Sequence, residues 1–293
     1  ELEAVASDAR HEADVASKRK VLYFFFSNDQ RGSSGSSFYV DLLCSLQLEA
    51  ERRGWELKLR DLADEDAVKA VLQSDDAAGV TYMPECWGFP PDTFRNSGLP
   101  EDVYSMDVKD PFSNYVVPDN YHAGWRAAEF LASRGHRKAA FITSYPKDNV
   151  FLDNHFKDRW RGFRDYYLTH FGEEPRAMPW DQLRPGFVGV HESRTLFQRK
   201  IAGEEEVTAL AVAGKNLAFE MLDVAIDLGA RSLFELFSVI TFEQTMAGNV
   251  PGLTMAMLPA KTMAREIAAL IQRLRDDPSD QPIRVHVAMH IED

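Results

Sequence analysis

A chain of 293 residues is too long for one small core, so two lobes are the expectation. Apolar residues make up 45% and charged residues 27%, an ordinary soluble balance, and the longest apolar runs are strand-sized, which excludes a membrane-spanning helix. The net charge of −13 argues against nucleic-acid binding over a broad surface and fits a module that binds small molecules or proteins. The polar, acidic N-terminus has no hydrophobic signal-peptide core. Cys44 and Cys86 fall in different predicted elements, which points to free thiols in a reducing cytosol; no metal-ligand spacing exists.

Residues 1 to about 14 read as a helix with Leu2, Val5 and Ala9 on one side, followed by a basic linker, Ala16 to Lys20. Val21 to Phe26 (VLYFFF) is a buried first strand. The Gly/Ser-rich loop Gly32 to Ser37 has a phosphate-cradling composition, but neither G-x-G-x-x-G nor G-x-x-x-x-G-K-[ST] is present. Phe38 to Arg53 is a helix, Trp55 to Arg60 a strand, Glu65 to Leu72 a helix and Gly79 to Met83 a strand. This alternation with short connections predicts a parallel, doubly wound sheet, with ligands at the carboxyl ends of its strands. Val103 to Asp107 and Asn114 to Val117 are short extended pieces.

Asp119 to Thr143 is the most legible stretch. Asp119 and Asn120 are N-cap residue types; Ala123, Ala127, Phe130, Leu131 and Arg134 follow at helical spacing; Gly135 suits the position after the helix; Ala139 to Ile142 is a buried strand. Further on come helices over Asp158 to His170 and Glu192 to Ile201, a strand from Thr208 to Ala213, a helix from Asn216 to Leu228, and a strand from Phe237 to Phe242. Pro251 to Met255 runs into a strand, Pro259 to Arg275 is a helix, and Ile283 to Ile291 closes the chain.

The wording of these stretches resembles the effector-binding core of LacI-type transcriptional repressors, from about residue 20 to the end. Asp119-Asn120, Gly124, Ala127-Ala128, Leu131 and Gly135-His136-Arg137 stand in that family's D-N, G-x-x-A-A-x-x-L and G-H-R places. GWELKLRD (54–61), DRWRGF (158–163), SVITFEQ (238–244) and PGLTMAMLPAKTMAREIAALI (251–271) are similar to four further family landmarks, in the same order. The resemblance implies an α/β fold of two doubly wound parallel-sheet lobes joined by three crossover strands, like the type I periplasmic binding proteins. It places a remnant of the head and hinge linker at 1–20, an N-terminal lobe at 21–118 plus 259–284, and a C-terminal lobe at 119–257 plus 286–293, with hinge crossings near Pro118, Met257 and His286. The family's helix-turn-helix head has no counterpart here, nor has the leucine wedge usual in its hinge, so these residues read as a piece of a longer protein.

Carried over by position, the resemblance implies a ligand cleft between the lobes. Arg159 takes the place of an arginine that grips effector hydroxyls, and its fork of donors suits a diol or carboxylate. Glu243 stands where the family usually has Asp, which implies a different ligand depth. Asp107 matches a second carboxylate position. Ser27 ends the first strand at a usual contact position or is simply a loop serine. Phe38 and Phe187 sit where aromatic rings face a sugar's apolar side, or are core; Trp87 is a further aromatic candidate. Ala213-Gly214-Lys215 departs from the family's A-N-D. Lys215 is therefore either a contact for a phosphorylated or acidic effector or a solvated lysine at a helix start.

None of the eight histidines forms H-E-x-x-H, no G-x-S-x-G elbow exists, and no cofactor is implied, so catalysis is not expected. The expected function is effector sensing in a cytoplasmic, homodimeric LacI-type regulator that binds a sugar or sugar derivative. Operator DNA would be met by a helix-turn-helix head outside this chain. The alternative is a solute-binding protein of a sugar transporter, which shares the fold. A third reading has a protein partner in place of the small molecule.

Overall fold

The computed structural model describes residues 20–26, 37–82, 92–104, 112–143, 155–179, 191–242, 252–278 and 281–292. The chain divides into two compact units, residues 1–118 with 259–287 and residues 119–258 with 288–293. It passes between them three times, after Pro118, Leu258 and Val287.

In unit 1 the described elements are β1 (Val21–Phe26), α1 (Ser37–Arg52), β2 (Glu56–Asp61), α2 (Glu65–Leu72), β3 (Ala77–Tyr82), α3 (Asp92–Arg95), β4 (Glu101–Tyr104), β5 (Tyr115–Pro118), α9 (Ala260–Asp276) and β11 (Arg284–Val287). The strands form one sheet in the order β11-β5-β4-β3-β1-β2, and every pairing is parallel. The residues of β3 are all buried, as a parallel sheet covered on both faces requires. Val68 and Val71 of α2 and Phe94 of α3 share one core with Tyr23, Phe25, Val80, Tyr82, Tyr115 and Val117. Helices α1 and α9 pack on each other, and α9 lies along β3, β4 and β5. Gly79 lets α9 come close: a Cβ there would sit 2.6 Å from Ile271 Cγ2.

In unit 2 they are α4 (Asn120–Ser133), β6 (Ala139–Thr143), α5 (His155–Phe171), β7 (Arg176–Pro179), α6 (His191–Ile201), β8 (Ala209–Val212), α7 (Lys215–Asp227), α8 (Leu233–Leu236), β9 (Ser238–Phe242), β10 (Leu253–Met257) and β12 (His290–Glu292). Sheet order is β12-β10-β9-β8-β6-β7. Only the β10–β12 pair among these is antiparallel. One core joins Ile142, Leu210, Val212, Val239 and Met255 to Leu196 and Phe197 of α6 and to Leu217, Met221 and Val224 of α7. Phe141 points the other way, toward Trp160 and Phe163 of α5.

Helices α4 and α5 meet backbone to backbone. A Cβ on Gly124 would overlap the carbonyl oxygen of Arg159, and a Cβ on Gly162 would overlap that of Tyr121. The two glycines therefore face each other's helix reciprocally, and neither position accepts a side chain without displacing a helix.

The sheets place strands where sequence reasoning did not. Strand β4 begins at Glu101, two residues before the expected extended piece, and the side chains of Glu101 and Asp102 are both buried. Strand β7 and the short helices α3 and α8 had no sequence signal. The expected single closing element is two strands, β11 in the first sheet and β12 in the second. No helix among the described residues is long and apolar enough to cross a membrane.

Candidate functional site

The carboxyl edge of the second sheet gathers the helix starts of unit 2. Asp119 caps α4 there, its Oδ1 accepting from the backbone N–H of His122 at 3.0 Å. Helix α5 begins at His155, and β8 runs out at Val212 into Ala213, Gly214 and α7. Gly214 is an N-cap in extended conformation with no side-chain hydrogen bond to the helix.

Arg159 crosses this edge in the first turns of α5 and is fully buried. Its Nε donates to Asn120 Oδ1 at 3.0 Å, and Nη1 donates to the carbonyl of Ala213 at 2.8 Å. The guanidinium carbon lies 4.9 Å from the ring centre of Phe242 and 5.5 Å from that of Phe156. Two hydrogen bonds in different directions and two rings fix both the plane and the position of the guanidinium. A cation held this way offers a directed recognition point for hydroxyl or carboxylate oxygens.

Phe38 is buried in the first turn of α1 in unit 1, edge-on to Tyr39 with ring centres 5.2 Å apart. Lys215 opens α7, two residues after the carbonyl that Arg159 binds. Ser27, Trp87, Asp107, Phe187 and Glu243 lie outside the described residues.

Sequence reasoning missed three members of the Arg159 network: Asn120, Phe156 and Phe242. Asn120 read as a second cap type. With Asp119 doing the capping, a second Asx side chain at the helix start was redundant for that purpose, and this redundancy was the available signal. The aromatic rings carried no such cue.

The G-H-R segment is not at this edge. His136 Nδ1 lies 3.0 Å from Thr208 Oγ1, and the Tyr167 hydroxyl donates to the His136 carbonyl at 2.8 Å. Burial, followed by the neighbouring charges of Arg134 and Lys200, lowers the imidazole pKa. His136 thus stays neutral as a tie between the α4–β6 turn and the start of β8.

At the same amino edge a cavity of about 170 Å³ is lined by Arg137, Lys138, Arg176, Glu173, Glu174 and Glu205, among others. The Glu205 carboxylate there faces Arg176 at 3.2 Å and Arg199 at 3.6 Å. Lys138 is matched with Glu173 at 2.8 Å.

No family model matches the chain. It is 24% identical to the HTH-type transcriptional regulator CelR of Thermobifida fusca over 268 residues, which is 87% of this chain and 74% of that protein. Among solved structures, the transcriptional regulator CelR–cellobiose complex superposes with a TM-score of 0.68 at 20% identity, covering 94% of this chain and 84% of the other. A LacI family transcriptional regulator from Enterococcus faecium with bound ribose gives 0.64 at 16% identity, covering 94% and 97%. The chain therefore has the fold of the effector-binding core of LacI-type transcriptional regulators, and its sequence is similar to a helix-turn-helix regulator along most of that protein's length.

Proposed function

We propose that this chain senses a small polar effector, a sugar or sugar derivative, on behalf of a LacI-type transcriptional regulator, and that it acts by binding without catalysis. The observation that carries this reading is the sequence similarity to a helix-turn-helix regulator over 74% of its length, joined to the fold. The similarity favours the regulator over a transporter's solute-binding protein. The solved neighbours bound to cellobiose and to ribose support the sugar class. Arg159, in its fixed geometry at the carboxyl edge of the second sheet, is the residue we assign to the effector's oxygens. Lys215 and Glu243 extend that assignment, Lys215 toward an acidic or phosphorylated derivative.

The regulator works in the cytoplasm as a homodimer, and its operator is met by a DNA-binding head outside these residues. The effector shifts the protein between two conformations by preferring one of them.

A thermal-shift screen against cellobiose, ribose, sugar phosphates and sugar acids tests this reading. A ligand that binds only the folded chain raises the melting temperature with its concentration. The expected result is a concentration-dependent rise in the native chain that Arg159→Lys diminishes. A rise of equal size in Arg159→Lys overturns the site, and no rise with any of these compounds overturns the sugar class.

A further inference from the structure

The residue that holds Arg159 is one that helix formation did not need. Asn120 is the first residue of α4 and only 6% exposed, and the capping of that helix already rests on Asp119. Its side-chain oxygen instead turns inward and accepts from Arg159 Nε at 3.0 Å. That bond and the 2.8 Å bond from Nη1 to Ala213 engage two adjacent edges of one planar group, so together they set its orientation. The backbones that carry the two partners are themselves locked, since Gly124 and Gly162 bring α4 and α5 into direct contact. Asn120 also stands two residues beyond Pro118, where the chain enters unit 2.

We propose that Asn120 is the positioning residue for Arg159. It holds the guanidinium at the angle from which it meets the effector, and it does so from the segment by which the chain enters unit 2. This rests on the assignment of Arg159 to the effector made above. The chemistry favours an amide in this role. An amide oxygen accepts the Nε–H bond without cancelling the guanidinium's charge, whereas a carboxylate would oppose it with a charge of its own.

Two readouts test the proposal separately from that assignment. The first uses no ligand. The Arg159 Nε–H gives a ¹⁵N–¹H side-chain signal, assigned by its loss in Arg159→Lys, whose hydrogen exchange is slowed by the bond to Asn120. In Asn120→Leu the exchange accelerates about tenfold or more, the range that losing a hydrogen bond to a charged group implies. Asn120→Asp retains an acceptor and retains the slow signal. Unchanged exchange in Asn120→Leu overturns the proposal. So does a signal lost in both variants together with a fall in melting temperature, which would mean general loosening of α4.

The second readout is calorimetric titration with cellobiose and with ribose. For whichever sugar the native chain binds, Asn120→Leu weakens the affinity by about tenfold, again the range of one lost bond to a charged group. Equal affinity in the native chain and in Asn120→Leu overturns positioning for binding. If neither sugar binds the native chain, the choice of these sugars fails, and the exchange measurement alone decides whether Asn120 positions Arg159.

Discussion

Asp102 in unit 1 and Arg159 in unit 2 are both fully enclosed, and they are accommodated in opposite ways. Arg159 keeps its charge, with hydrogen bonds to Asn120 and Ala213 and the faces of two aromatic rings around it. Asp102 accepts one bond, from Thr81 Oγ1 at 3.1 Å, and its other oxygen has no partner among the described residues. Burial, against that one bond and with the neighbouring Glu101 adding to it, pushes the Asp102 carboxyl well above the usual carboxylate range. The group gives up its charge instead of being solvated by the protein. A buried charge with a built environment marks a place where geometry matters. A buried acid with one hydrogen bond is a cost that the α9-covered sheet carries.

Five variants sharpen or break this contrast. Arg159→Met removes the cation but not its surroundings and strands the Asn120 amide and the Ala213 carbonyl. Chemical denaturation is expected to show a loss of about 2–5 kcal/mol. A loss under about 1 kcal/mol would mean the network does not depend on the guanidinium. Gly162→Ala forces α5 away from α4 and is expected to cost about 1–3 kcal/mol, read in the same experiment.

In unit 1 the sign reverses. Thr81→Val with Asp102→Val removes both polar partners together and is expected to leave the protein at least as stable as the native chain at pH 7, with a gain of about 1 kcal/mol. The pH dependence provides the sharper test. The folded chain holds the Asp102 proton, while the unfolded chain releases it in the ordinary carboxylate range. The native chain therefore loses stability as pH rises from that range toward the raised folded pKa. Relative to Asp102→Asn the loss accumulates at no more than about 1.4 kcal/mol per pH unit. Parallel stability–pH curves for the two proteins would show that Asp102 ionises normally in the fold.

The smallest effect belongs to Glu205. Its burial would raise its pKa, but the Val207 N–H, Arg176 and Arg199 outweigh it and the net shift is downward. Because both arginines are half exposed, Glu205→Gln is expected to cost about 1 kcal/mol or less at neutral pH. The cost disappears as the pH falls through the lowered carboxylate pKa.

The same two residues show what the sequence could convey. The α4–β6 unit was readable from Asp119 to Thr143 because its capping, helical spacing and apolar strand are all local. The run Val21 to Phe26 was readable because nothing but a buried strand suits it. Glu101 and Asp102 were not readable as strand, because strand patterning assumes that acids stay outside, and only tertiary packing puts them inside. Arg159 was singled out in the sequence through its likeness to a family position. Its holder, Asn120, was not, because the bond spans 39 residues of sequence and the local pattern already gave Asn an ordinary helix-start explanation.

The order in which the units draw on the chain has a consequence for how the protein is made. Nearly all of unit 2 is one uninterrupted run, 119–258, whereas unit 1 is covered by α9 and bordered by β11, both synthesised only after that run is complete. On the ribosome the first five strands of unit 1 emerge first, yet their α9 face has to wait, for about 10–30 seconds at ordinary elongation rates, until the whole of unit 2 has followed. All of the later-born unit except its edge strand β12 is thus available before unit 1 can be covered, and the exposed face of β3 to β5 is the surface that a nascent chain would most need a chaperone to cover.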